Sequence, residues 1–374
     1  MKILHIVATG ERRGAEVFAS DLVAALAGEG MEHRVAVLRP PGPPPGVYDP
    51  PAATLPSAGW HLPGVRMDPK TARALRRTVA RWRPDVVQSH GGEPLKYALA
   101  ATAGHRVPVV HRRIGSAPRW ILRGARRRAH GFLLRRTARV IAVADAVRRE
   151  TLAAFGLSPG GVVTIPNGVD PGRTRPRRDR AAVRRSLAID QDAPVVVTLG
   201  ALTWEKDPGA HLDILAHLAD DQPGLVHLFA GDGPLRVELE ARAAREGLDR
   251  QARFLGSRSD IGDLLGAADV LLFASRPDGM EGMPASLIEA GMAGLPTVAY
   301  GVGGVDEVIV DGETGYVVPH GDTAGLAAAV RKLLADHALR ASLGDAARRR
   351  CAARFDIAAV APRYLDVYRE VLER

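Results

Sequence analysis

The chain has 374 residues, 46% hydrophobic and 25% charged, which suits about two globular domains and excludes a disordered or fibrous protein. Its single cysteine, Cys351, excludes an internal disulfide and any cysteine-based metal site. No apolar run approaches the roughly 18 residues needed to cross a bilayer, and the opening MKILHIVATG is too short for a secretory leader, so a cytoplasmic protein is expected.

The formal net charge of +9 is unevenly spread: ten arginines and no acid lie between Arg112 and Arg139. Such a run is a footprint for phosphates of nucleic acid, of lipid headgroups or of a soluble ligand. Arginine and alanine are abundant along the whole chain, so compositional bias is the competing explanation.

In chain order, short β-branched runs predict strands at 2–8, 34–38, 85–89, 107–111, 139–144 and 162–166, then at 194–200, 225–231, 252–256, 270–275, 296–300 and 316–319. Helical stretches separate them, the pattern of parallel βα units with helices on both sheet faces. The predicted fold class is α/β, with two doubly wound sheets facing across a cleft. A polar, proline-rich segment from Arg39 to Gly59 reads as a long loop. The segment PGRTRPRRDRAAVRR, 171–185, holds seven arginines and reads as a surface linker leading into a helix, with the domain boundary there. The expected domains are 1–180 and 181–355, with a last helix from about Asp356 to Arg374 that could cross back onto the first.

Open parallel sheets bind ligands beyond the carboxyl ends of their strands, and the motifs fall there. After the strand at 2–8 comes TGERRGAE, where Gly10 and Gly14 permit a tight turn and close approach to a ligand before a helix begins. The spacing does not form G-x-G-x-x-G, so this is no dinucleotide fingerprint. His90 and His111 end the third and fourth predicted strands, where a neutral imidazole could orient or deprotonate a hydroxyl; each also reads as an ordinary structural histidine.

In the second half, Gly200 turns the chain after its strand, and Lys206 stands ahead of a helix opened by Asp207 and Pro208. The lysine can hold its ammonium over an anion at a helix end, or be a plain surface lysine. In FAGDGPLR, 229–236, Gly231 and Gly233 serve backbone shape, and Pro234 is a predicted first helical residue. EGMPASLIE, 281–289, has two acids with seven residues between them. Glu281, Gly282 and Met283 form a predicted turn, Pro284 starts a helix, and Gly294 and Pro296 stop it. Glu289 is the only charge on that helix, and a carboxylate in an apolar setting needs donors. Sugar hydroxyls are such donors, and a salt bridge to an arginine is the alternative. Glu281 would sit beside the amides of 282–284 at a positive helix end. GVGGVDEVI, 301–309, adds a glycine turn at the same edge, and DGETGYVVP reads as a hairpin-like return into the last strand.

Together these stretches resemble the nucleotide-sugar-dependent glycosyltransferases of family 4, retaining enzymes of the GT-B fold once called group 1. Gly10 and RGAE, DVVQSH, VIAVADAVRRE, IPNGVD at 165–170, EKDP, GDGP, the two spaced glutamates and GLPTVAYGVGGVDEVI carry the resemblance, in order, over nearly the whole chain. The resemblance implies transfer of a hexose from a nucleotide diphosphate sugar (UDP-, GDP- or ADP-linked) to a hydroxyl of a carbohydrate, lipid-linked or small-molecule acceptor. It implies Lys206 on the donor diphosphate, Glu289 on the ribose, Glu281 with the 282–284 amides on the hexose, and Gly14 near the diphosphate in the closed cleft. It implies no metal and no cofactor; Asp190 and Asp192 form an Asp-x-Asp ahead of the strand at 194–200, not in a loop that follows a strand. Two departures stand out. Ala201 replaces the family's common arginine after Gly200, leaving Arg12 or Arg13 to substitute, and the acceptor-facing histidine is shifted to His111 or replaced by Arg112 or Arg113. A sugar-nucleotide 2-epimerase of similar architecture, or a basic protein binding nucleic acid or a membrane surface, are the alternatives. The transferase reading expects no nucleic-acid partner and allows peripheral contact with an anionic membrane.

Overall fold

The structure is a computed structural model that describes residues 1–11, 13–28, 30–39, 53–57, 67–219 and 221–374. Most of the expected 39–59 loop, and Arg12, lie outside the described residues. Contacts divide the chain into two units, one of Met1–Gly168 with Ile357–Arg374 and the other of Val169–Asp356. The division therefore falls at 168/169 rather than at 180/181.

The first unit holds β1 (Lys2–Thr9), β2 (Glu32–Arg39), β3 (Ala53–Thr54), β4 (Val86–His90), β5 (Val109–Arg113), β6 (Arg139–Ala142) and β7 (Val162–Thr164). They form one sheet in the order β3-β2-β1-β4-β5-β6-β7, and every pairing is parallel. Alternate residues of β1 serve opposite faces. Ile3 packs with Phe18 and Leu22 of helix Gly14–Ala25 and with Tyr364 and Tyr368 of helix Ile357–Leu372. Leu4 and Ile6 pack with Leu75 and Val79 of helix Pro69–Trp82 and with Tyr97 of helix Gly92–Thr102. Burial on both faces explains why the strands are nearly continuous apolar runs. Strand β3 has no counterpart in the sequence reading, because two residues carry no periodicity.

The second unit holds β8 (Val195–Leu199), β9 (Val226–Ala230), β10 (Ala252–Gly256), β11 (Val270–Phe273), β12 (Thr297–Tyr300) and β13 (Gly315–Val318), all parallel, in the order β10-β9-β8-β11-β12-β13. Both predicted doubly wound, Rossmann-like sheets are thus present. In each, the strand order reverses once, between β1 and β4 and between β8 and β11. Loops leaving those neighbouring strands diverge to opposite faces and open a crevice at the carboxyl edge.

The segment 171–185 does lead into a helix, but it belongs to the second unit rather than linking the two. It forms a short helix, Pro171–Thr174, and a longer one, Arg180–Ser186, within the second unit. Arg184 is 1% exposed. Its fork donates to the carbonyls of Ala267, Asp190, Gln191 and Ala193 and to Asp269 Oδ2. Asp263, also buried, accepts from the N–H groups of Arg177 and Arg178 and from Arg178 Nε at 2.6, 3.0 and 2.8 Å. A guanidinium has five donors in a fixed fork and tolerates burial when all are met; the arginine count alone misread this segment.

The arginine-rich stretch 112–139 is likewise not one surface. Arg112, Arg113 and Arg139 are buried, the last two against Glu150 and Glu370. Arg119, Arg123 and the arginines of helix Gly124–Arg135 are exposed, next to Trp120 and Phe132. Among the described residues no helix is long and apolar enough to cross a membrane.

Candidate active site

The crevice of the second unit brings Lys206 and Glu281 together. Thr198 and Leu199 end β8, Gly200 turns at φ 153° in the region that favours glycine, and a 3-10 turn, Trp204–Lys206, carries the lysine. The turn is seated by the next strand's loop: a Cβ on Gly231 would lie 1.8 Å from Gly200 O, and one on Gly233 2.4 Å from Leu202 O. Both glycines do serve backbone shape, although helix Arg236–Arg245 begins beyond Pro234.

From the neighbouring strand, β11, the loop 274–284 returns to the same place. Arg276 N donates to Glu205 O at 3.0 Å, its side chain meets Asp207 Oδ2 at 3.3 Å, and its guanidinium lies 4.8 Å from the Trp204 ring centre. With the loops so joined, Lys206 Nζ donates to Glu281 Oε1, which also accepts from Ser275 Oγ at 3.1 Å. Glu281 is 11% exposed and Lys206 32%, so the carboxylate is enclosed and the lysine side chain is partly open to solvent. Behind Glu281, Gly303 (φ 58°) leaves room for the Glu281 carbonyl, 2.5 Å from where a Cβ would stand, and Gly304 N donates to Gly282 O at 2.7 Å.

Gly282 and Met283 are buried in this loop. Pro284 is the N-cap rather than the first helical residue, and the helix runs Ala285–Ala293. Proline has no N–H, so the expected set of amides at 282–284 is corrected: Gly282 and Met283 have N–H groups there, followed by the first turn of the helix. Glu289, one helix face further on, is 14% exposed and accepts from Arg173 Nε at 3.2 Å and Nη2 at 3.1 Å. The salt-bridge alternative is what this carboxylate adopts.

In the first unit, Thr9 ends β1 and Gly10 follows it, ahead of helix Gly14–Ala25. Glu16 is 3% exposed and accepts from Thr9 N at 3.3 Å; burial raises its pKa, opposed by its own and Thr9's N–H groups and by Arg13 and Arg112. Arg13 is exposed and pairs with Glu11 at 2.7 Å. Gly14 opens the helix, and a Cβ there would meet nothing within 4 Å. His90 is the last residue of β4, in register with Arg112 of β5. Its pKa falls well below the usual histidine value, through burial first and then His5, Arg112 and His111. Arg112 stacks over Phe18 at 3.8 Å and donates to Asn167 Oδ1 at 2.5 Å.

His111 departs from expectation. β5 runs to Arg113, so His111 lies mid-strand, 1% exposed, its Nδ1 2.9 Å from Ser89 Oγ. Register sets it on the face opposite His90 and Arg112.

Comparison with known proteins gives the class. The model of the glycosyl transferases group 1 matches residues 179–350 and that of glycosyltransferase family 4 matches residues 12–173. Glycogen synthase of Mycobacterium tuberculosis is 30% identical over 298 residues, 77% of this chain and 69% of that protein. The chain belongs to the group 1 glycosyltransferases. A second relative of this transferase, the 2-deoxystreptamine glucosyltransferase of Streptomyces kanamyceticus, is 30% identical over 71% of each chain. The crystal structure of Anabaena HepE in complex with UDP-glucose matches with a TM-score of 0.83 at 22% identity, over 99% of this chain and 100% of that one. That likeness is one of fold, the GT-B class.

Within the transferase, the structure joins Lys206, Glu281, Gly200, Gly282 and Met283 at one sheet edge, and gathers Gly10, Arg13 and Gly14 at another. Sequence reading missed Arg173, Ser275, Glu16 and Asn167. Asp170 caps the short helix by accepting from Gly172 N at 2.9 Å, with Pro171 as its first residue. That Asp-Pro start was a legible helix signal that would have placed Arg173.

Proposed function

We propose that this transferase is a retaining enzyme of family 4 that moves a hexose from a nucleotide diphosphate sugar to an acceptor hydroxyl, without a resident metal or cofactor and without a nucleic-acid partner. The Lys206–Glu281 pair at the reversal point of the second sheet carries the reading. Each neutralises the other, so neither charge stands alone in a half-buried site. An arriving diphosphate takes the ammonium, and the freed carboxylate turns to hexose hydroxyls, which donate to it. Charge develops on the diphosphate as the anomeric carbon–oxygen bond breaks. An ammonium and helix-tip N–H groups fixed beforehand stabilise that charge at little reorganisation cost. Glu289, oriented by Arg173, accepts from the ribose. Gly14, where a Cβ would meet nothing within 4 Å, leaves space before a helix N-terminus of the first unit. His90 faces the acceptor in this proposal; the mid-strand setting of His111 supports a role in orienting Ser89 instead.

The UDP-glucose bound to HepE supports the donor class. The names of the two curated relatives span a polysaccharide and a small aminocyclitol product, and the proposed acceptor is polyhydroxylated. A lipid-linked acceptor accords with peripheral contact at an anionic membrane, for which the exposed arginines beside Trp120 and Phe132 are the supporting feature. Co-sedimentation with anionic vesicles is expected to weaken with salt and in Trp120→Ala; equal binding to neutral vesicles rejects that contact.

A screen of UDP-, GDP- and ADP-glucose by thermal unfolding tests the donor site. One of them at 100 times its Kd should add about 2.7 kcal/mol of stability. No stabilisation by any nucleotide sugar rejects the donor site, and an inverted anomeric configuration in the product rejects retention.

A further inference from the structure

The backbone at Glu281 is held from both sides. Met280, immediately before it, sits at φ 62°, a left-handed conformation that a non-glycine residue keeps only where its surroundings fix it. Gly279 is wedged against the turn that carries Lys206: a Cβ there would lie 2.7 Å from Glu205 O. On the far side, a Cβ on Gly303 would lie 3.1 Å from the Cβ of Glu281. The loop therefore fixes where this side chain starts, and hydrogen bonds decide where its carboxylate points.

Those bonds fall on one oxygen. Lys206 Nζ and Ser275 Oγ both donate to Oε1, the serine at 3.1 Å. Among the described residues none donates to Oε2, and that oxygen keeps contact with solvent. The two donors to Oε1 differ in kind. Lys206 is 32% exposed and carries a charge for which a diphosphate competes. Ser275 is 1% exposed, two residues beyond the end of β11, and its hydroxyl is neutral. A buried hydroxyl that loses its acceptor is penalised by its own desolvation, so the serine keeps its bond to Oε1 when the lysine turns to phosphate.

We propose that Ser275 is a positioning residue for hexose recognition: it anchors Oε1 of Glu281 once Lys206 is drawn to the diphosphate, and leaves Oε2 to accept from hydroxyls of the sugar. The inference rests on the reading of Glu281 as the hexose-binding acid, and gives each oxygen of that carboxylate its own task. A carboxylate with one oxygen tethered has lost rotational freedom before the sugar arrives, so the hydroxyls meet an acceptor that is already oriented. Without the tether, the carboxylate released by Lys206 turns to water. The diphosphate contact itself does not involve Ser275. The serine thus sets how far the site prefers a nucleotide diphosphate sugar over the bare nucleotide diphosphate, because both draw Lys206 away and only the first presents hydroxyls to Oε2.

Titration calorimetry of the full chain with UDP against UDP-glucose, GDP against GDP-glucose and ADP against ADP-glucose measures that preference. Ser275→Ala should weaken binding of the sugar nucleotide by about tenfold or more, the usual cost of losing a hydrogen bond to a charged group, with the matching bare diphosphate unchanged. Ser275→Cys, close in size but a weaker donor, should show the same split to a lesser degree. In a Glu281→Ala background Ser275→Ala should cost nothing further, since the oxygen it anchors is gone. Equal losses for sugar nucleotide and bare diphosphate, no loss in either variant, or an undiminished loss in the Glu281→Ala background each overturn the positioning role while leaving the donor site in place. If no sugar nucleotide binds, or if Glu281→Ala keeps the full preference for it, the reading beneath falls instead.

Discussion

Lys206→Ala is expected to lower kcat/KM for sugar transfer by about 10²- to 10³-fold, the usual cost of one fixed charge-stabilising donor in a catalytic site. Two effects act in the same direction. In the proposed mechanism the substitution removes the ammonium that would meet the departing diphosphate. It also leaves the Glu281 carboxylate, 11% exposed and then held by Ser275, close to an incoming dianion. Repulsion between like charges in a partly buried site is several-fold stronger than in water, so donor affinity should fall along with kcat. Lys206→Arg should recover part of the loss, since it restores the charge but not the compact geometry of an ammonium. Steady-state kinetics over a donor series, with the unfolding midpoint as a control, measure this. A variant that keeps wild-type kcat/KM takes Lys206 out of the chemistry.

Arg184→Ala should cost the second unit about 3–5 kcal/mol, the range for breaking a buried ion pair by removing one partner. Arg184 is 1% exposed and closes the chain onto itself: it ties helix Arg180–Ser186 to the carbonyls of 190, 191 and 193, just ahead of β8, and to Ala267 and Asp269, just ahead of β11. Truncation takes a donor from the carbonyls of 190, 191, 193 and 267, while Asp269 keeps Val195 N and Arg180, and each buried orphan adds to the penalty. Arg180 supplies the internal control. It donates to the same Asp269 at 2.8 Å, but its side chain is 42% exposed, so Arg180→Ala should cost at most about 1 kcal/mol. Chemical denaturation of both variants decides the matter: equal, small losses would mean that burial of the guanidinium contributes nothing.

These two arginines mark where the sequence misleads. In PGRTRPRRDRAAVRR, one side chain is a buried fastener, one holds Glu289, and others lie in solvent, yet all are written with the same letter. Arginine's long stem allows its head to reach acceptors many residues away, and those acceptors are mostly backbone carbonyls that no side-chain pattern announces. The same holds for Arg112, which resembles part of a basic surface and instead stacks on Phe18.

The sequence by itself determined the strands of both sheets apart from the two-residue β3, because parallel strands covered on both faces must be apolar throughout and their ends are marked by glycine, proline and caps. It also located the candidate loops, since those follow strands. Only the tertiary structure decided which of these residues meet. Lys206 and Glu281 are 75 positions apart and become partners because β8 and β11 are neighbours where the strand order reverses. Strand order and register are non-local: they fixed the pairing of Glu289 with Arg173 and put His111 on the opposite face from His90.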